Sequence, residues 1–117
     1  MDTITLYDAF FAGNPKEWAL CEALRRALTE KWPDTAIRVM KTCISFDDPK
    51  PYCYVSHPPR KDIYGIWLSI SLLEKMEHPR FSMVVPVSKS RFTVHIAVKD
   101  ETQVDEELID LIVLSHR

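Results

Sequence analysis

Glycine is almost missing from this chain: Gly13 and Gly65 are the only two in 117 residues. Loops that cradle phosphates need several glycines so that backbone N–H groups can close on the anion, so a P-loop or a dinucleotide-binding turn is excluded. The GxSxG, HExxH and GxxxxGK[ST] patterns are absent too. With them go the common ways of presenting a serine nucleophile, a zinc ion or a nucleoside triphosphate. The three cysteines, Cys21, Cys43 and Cys53, are odd in number and never spaced as CxxC. Neither a disulfide framework nor a zinc ribbon is indicated, and buried free thiols are expected. His57 and His78 lie beside prolines and His116 is next to last, so the histidines offer no ligand spacing, and no metal or cofactor is expected.

Apolar runs such as Leu111–Leu114 fall far short of the roughly 20 residues of a spanning helix, so no membrane association is expected. The opening MDTITLYDAFF carries no basic segment ahead of an apolar one, from which a cytoplasmic protein is expected. A basic excess is lacking as well: 15 Lys and Arg against 17 Asp and Glu give a net charge of −2. The general pull toward phosphate backbones is therefore absent, and nucleic acid would need a local patch, for which Arg60-Lys61 and Lys89 with Arg91 are the nearest candidates.

What is present is ordinary globular composition, 46% hydrophobic and 27% charged. A chain of this length buries roughly two-thirds of its unfolded surface, enough for one core, and a single domain over residues 1–117 is expected. Ile4, Tyr7, Phe10 and Phe11 fit a short amphipathic helix over Thr3–Phe11. Asn14-Pro15-Lys16-Glu17 supplies an N-cap, a proline at the first helical position and a glutamate three residues on, predicting a helix to about Lys31 with Leu20, Cys21, Leu24, Ala27 and Leu28 inward. Thr35 to Phe46 shifts toward period two and reads as one strand, interrupted by Lys41-Thr42-Cys43. After the turn Asp47–Pro51, Tyr52–Ser56 returns as a strand.

The cleanest alternation follows, with Tyr64, Ile66, Leu68, Ile70 and Leu72 inward against Gly65, Trp67, Ser69 and Ser71. A short strand over Phe81–Val85 and a strand over Phe92–Val98 come next. The pattern Thr102-Gln103-Val104-Asp105 predicts a capping box and a closing helix with Leu108, Leu111 and Ile112 inward. No βαβ unit is long enough for a parallel crossover, so the fold class is α+β: an antiparallel sheet of about four to five strands with N-terminal and C-terminal helices packed on one face.

The opposite sheet face then presents Trp67, Ser69, Ser71, Thr93 and His95, joined by Tyr52 and Tyr54 from one side of their strand and, if no bulge changes the register of its strand, by Lys41. A candidate binding set follows: Lys41, Tyr54, Trp67, Ser69, Arg91 and His95. It combines a stacking ring, hydroxyl donors and a titratable group, as a small anionic or aromatic ligand would require. Each has a plainer reading, a solvated or dimer-covered face for the set, a neighbour-bonded imidazole for His95 and an edge-protecting charge for Lys41. No catalytic residues are assigned, since nothing orients a pair such as Cys43 and His95.

The stretches "KTCISF", "PKPYCYV", "GIWLSISL" and "SRFTVHIAVKDETQVDEELIDLI", in that order, resemble the family called domain of unknown function 5655 over nearly the whole chain. The matching positions are Lys41, Thr42, Ile44, Ser45 and Phe46, then Tyr54, then Ser90, Arg91 and His95, then Asp105, Glu106 and Leu108. Cys43, Pro49 and Pro51 depart from it. The resemblance implies an accessory binding module with no established activity. A fainter fold-level similarity, from Trp67 to Leu111, is to MmcQ/YjbR-like proteins and would imply DNA binding. The expectation is thus a non-enzymatic binding or interaction module, with nucleic-acid binding or homodimerisation as the alternatives.

Overall fold

The structure, a computed structural model, describes residues 3–117, with side chains from residue 5 onward. The elements run α1 (Thr3–Phe10), α2 (Pro15–Lys31), β1 (Ala36–Val39), β2 (Ile44–Asp47), β3 (Pro51–Ser56), β4 (Ile66–Leu72), β5 (Met83–Ser88), β6 (Arg91–Val98), a 3-10 turn (Glu101–Gln103) and α3 (Glu106–Val113). The class is α+β, as expected. All strands join one antiparallel sheet, ordered β1-β2-β3-β4-β6-β5. It has six strands rather than four to five, and three α-helices accompany it. The extra strand arises because Thr35–Phe46 is a hairpin rather than one strand. Met40 N donates to Cys43 O at 2.8 Å, so Lys41 and Thr42 form the tip and the chain doubles back at the residues whose polarity broke the alternation.

Why α2 starts where it does is visible in its cap: Asn14 Oδ1 accepts from Glu17 N at 3.1 Å, and Pro15 stands where no N–H is needed. Its inward stripe, Leu20, Cys21, Leu24 and Leu28, shares one core with Tyr7 and Phe11 of α1 and with Leu108, Leu111 and Ile112 of α3. The sheet contributes Ile44, Phe46, Val55, Ile66, Leu68, Ile70, Val94, Ile96 and Val98 to the same core. The register places these residues opposite one another, Ile44 against Val55, Val55 against Leu68 and Leu68 against Ile96. One pleat face therefore meets the helices, and the alternate residues form an outer face. Ile4, expected on the apolar side of α1, lies outside the described side chains.

Three sequence expectations are corrected. Tyr64 was expected to point inward, but β4 begins only at Ile66, after Gly65 turns the chain at φ +96°, and Tyr64 is 60% exposed. Tyr52 and Tyr54 were expected on one side of their strand. The register slips between Phe46 and Asp47, so Tyr52 turns into the core against Trp32 while Tyr54 stays on the outer face, as a bulge of one residue requires. The capping box falls two residues earlier than read, at Asp100 to Gln103. Asp100 accepts from Thr102 N at 2.9 Å and Gln103 accepts from Asp100 N at 3.1 Å, whereas Asp105 alone caps α3 by accepting from Leu108 N at 2.9 Å.

The C-terminal residues close the sheet. β3 pairs with β4 only as far as Ser69, and beyond it Ser71 N donates to the Ser115 hydroxyl at 2.9 Å, which satisfies a donor the ladder leaves over. His116 stacks on Trp32 at 4.3 Å and bonds Asp48 through Nε2 at 2.8 Å. No helix among the described residues is long and apolar enough to cross a membrane.

Candidate functional site

The outer face carries one continuous row of side chains across all six strands. Arg38 stands opposite Ser45, Ser45 opposite Tyr54, Tyr54 opposite Ser69, Ser69 opposite His95 and His95 opposite Met83. At one end Arg38 Nε donates to Asp47 at 3.1 Å and the Ser45 hydroxyl donates to Asp47 at 2.5 Å. This is a charge-assisted cluster that holds the β1–β2 hairpin. Toward the other end Ser69 Oγ and His95 Nδ1 are 2.8 Å apart. Burial holds the imidazole's pKa below its usual value, because removing water disfavours the charged form.

Of the six candidate residues, the structure brings together Tyr54, Ser69 and His95 on this row and Trp67 one step along β4. Trp67 and His95 stack at 5.3 Å with ring planes 16° apart. The indole is only 7% exposed, so one of its faces is already occupied, and what it offers a visitor is an edge rather than an open stacking platform. Arg91 shares the outer face at the far end of β6, where it pairs with Ser88. Four residues of strand put it roughly 13 Å from His95. Lys41, at the tip of the β1–β2 hairpin, is exposed and away from the set. It does not meet His95, because β2 and β6 are separated by two strands, and three strand spacings make about 14 Å. Cys43 lies at the same hairpin, so a Cys43/His95 pair does not form. Burial raises the Cys21 thiol to about 12 and pushes Cys53 well above its ordinary value, which keeps both as neutral thiols.

Beside Trp67 the outer face deepens into a hollow of about 360 Å³. Trp67, Ala97 and Met83 come from the sheet, Pro59, Arg60 and Ile63 from the β3–β4 loop, and Ser82 and Lys99 from the ends of β5 and β6. The Ser82 hydroxyl accepts from Ala97 N at 3.1 Å, fixing the rim where the edge strand starts. Arg60 is largely exposed and paired with Asp62 at 3.3 Å. Lys99 lies 5.4 Å from the Tyr64 ring centre, within cation–π range. Sequence reasoning named Arg60 only as part of a basic patch with Lys61, and missed Ile63, Met83 and Lys99. The alternation could have supplied Lys99, which follows His95 and Ala97 on the same face. The loop residues are placed by the turn at Gly65, where any Cβ would meet Val98 O at 2.1 Å.

Among the described residues no group of His, Cys, Asp and Glu is arranged to hold a metal ion, and no buried side-chain polar atom lacks a partner. No curated protein and no solved structure matches the chain, and the likeness to MmcQ/YjbR proteins finds no support. The model of one family, described as "Domain of unknown function (DUF5655)", matches residues 7–117, and with nearly the whole chain covered the protein belongs to the DUF5655 family.

Proposed function

We propose that this domain is a non-enzymatic binding module that takes a small ligand, part apolar and part anionic, on the outer sheet face next to Trp67. The observation that carries this reading is the 360 Å³ hollow, with apolar walls from Ile63, Trp67 and Met83 and the cations Arg60 and Lys99 at its rim. A few placed polar groups around apolar walls is the usual composition of a small-molecule site. The row Tyr54, Ser69 and His95 extends the hollow with hydroxyl and imidazole groups that can orient the ligand. Lys41 and Arg91 have no part in this reading.

The test is nuclear magnetic resonance of the ¹⁵N-labelled domain with indole-3-carboxylate and with adenosine. Trp67 has an indole N–H distinct from that of Trp18, which donates to Asp8 at 3.1 Å, so the signals separate after assignment. The expected result is a saturable shift of the Trp67 indole signal, lost in Met83→Glu, which puts a carboxylate on an apolar wall of the hollow at an exposed position. No shift at Trp67 with either probe at millimolar concentration refutes the reading.

A second reading rests on a separate observation: β5 is a sheet edge whose Met83, Val84, Val85 and Val87 are 37–65% exposed. A second copy of the chain would cover them, although Pro86 removes one ladder donor, a common guard against edge pairing. Sedimentation at high concentration decides between a dimer and a monomer, and a monomer removes this reading.

A further inference from the structure

Three concavities meet around Tyr64, and they share walls. The hollow beside Trp67 meets a second space of about 330 Å³ at Ile63, and a third of about 410 Å³ at Lys99. The second and third share Lys16. Tyr64 lines the second space, with the Lys16 ammonium 5.3 Å and the Lys99 ammonium 5.4 Å from its ring centre. Lys61 lines the second space. Sequence position separates Lys16, Lys61 and Lys99 widely; the packing of α2 against the two ends of β4 and β6 gathers them.

These three ammonium groups are available. No ion pair among the described residues uses Lys16, Lys61 or Lys99. Of the acids around them, Glu17 accepts from Asn14 and His57, Asp62 pairs with Arg60, and Asp100 caps the 3-10 turn, its pKa held down by the bonds from Thr102 and, beyond them, by the nearby Lys16 ammonium. Glu101 alone stands uncommitted in the third space, which turns an anion away from that side and toward Lys99, Tyr64 and Lys61. In a chain of net charge −2, Lys16 and Lys99 over the exposed Tyr64 ring, with Lys61 lining the same space as Tyr64, form a local anion track.

We infer that the ligand is an organic polyphosphate, with its apolar or aromatic body in the Trp67 hollow and its phosphates on Lys99, Lys16 and Lys61 around Tyr64. This rests on the hollow being the binding site and adds the ligand's chemical class. Lysines at the rim of an open surface act as point charges on phosphate, so affinity rises with each phosphate and falls with salt.

The experiment measures binding of adenosine, AMP, ADP, ATP, tripolyphosphate and a five-residue oligodeoxyadenylate to the intact domain by calorimetry and by the Trp67 indole signal. Affinity is expected to rise at least tenfold from adenosine to ATP. Lys16→Gln with Lys61→Gln is expected to remove most of the gain of ATP over adenosine while leaving adenosine and the melting temperature unchanged, both residues being exposed and outside the Trp67 hollow. Raising sodium chloride from 50 to 500 mM should weaken ATP and spare adenosine. Equal affinity for adenosine and ATP overturns the polyphosphate assignment and leaves the hollow standing. Tripolyphosphate binding as tightly as ATP, with no adenosine response, overturns the hollow as well. An oligonucleotide that binds while ATP gains nothing over AMP overturns the assignment in favour of single-stranded nucleic acid.

Discussion

The two glycines offer a paired experiment in which the chain is its own control. Both have positive φ, +81° at Gly13 and +96° at Gly65, so alanine at either carries the left-handed backbone cost of about 1–2 kcal/mol. They differ in what the added methyl group meets. At Gly13 nothing lies within 4 Å, and Gly13→Ala should cost about 1 kcal/mol with no further loss. At Gly65 the new Cβ would sit 2.1 Å from Val98 O and 2.9 Å from Lys99 Cα. Those are backbone atoms that cannot rotate aside. The β4–β6 ladder, which pairs Ile66 with Val98, must open at its end, and a forced shift of packed backbone adds about 1–3 kcal/mol. The total for Gly65→Ala is then about 2–5 kcal/mol, a large share of the 5–15 kcal/mol that holds an ordinary domain together. Urea unfolding followed by circular dichroism should show the midpoint of Gly65→Ala falling by about 2 M, against less than about 1 M for Gly13→Ala, at an unchanged slope of about 1–3 kcal/mol/M. Equal midpoints for the two variants would refute the close approach at Gly65 and, with it, the placement of Tyr64 and the loop that walls the hollow.

Other consequences are measurable on the same material. Because burial lowers the His95 pKa, the unfolded chain takes up the proton first as pH falls; stability contributed by neutral His95 is present above the unfolded value of about 6.5 and is lost below it. His95→Gln should flatten the dependence of urea midpoint on pH between about 6.5 and 5, and an unchanged slope counts against the buried imidazole. Asp105→Ala removes the α3 cap together with the 2.6 Å ion pair to Arg80. About 1–2 kcal/mol should go, or roughly 4–12 °C in melting temperature, with Asp105→Asn keeping most of the cap. A calorimetric melt in which both variants match the parent would remove that account of the helix start.

Much of the fold was legible because it depends on local chemistry. Asn14-Pro15-Lys16-Glu17 starts α2 through its own side chains, and the alternation from Ile66 to Leu72 and from Phe92 to Val98 assigns each residue to a face whatever the partner strand. The outer-face trio Tyr54, Ser69 and His95 was legible for the same reason, since period two settles which side a side chain takes. Lys41 was misplaced because a two-residue hairpin turn, without the glycine or asparagine that usually marks one, looks like an interrupted strand. Tyr52 was misplaced by a one-residue slip in pairing, which no single strand records.

Taken alone, the sequence determined the class, the start of α2, the two-sided sheet and the absence of a phosphate loop. These follow from spacing along the chain and from groups that satisfy one another within a turn or two. Only the tertiary structure decided that Trp67 gives its face to His95, that Tyr64 turns outward at Gly65, and that Lys16 and Lys99 converge on it. Those facts depend on strand order and on the approach of backbone to backbone across the sheet, distances set by packing the whole core.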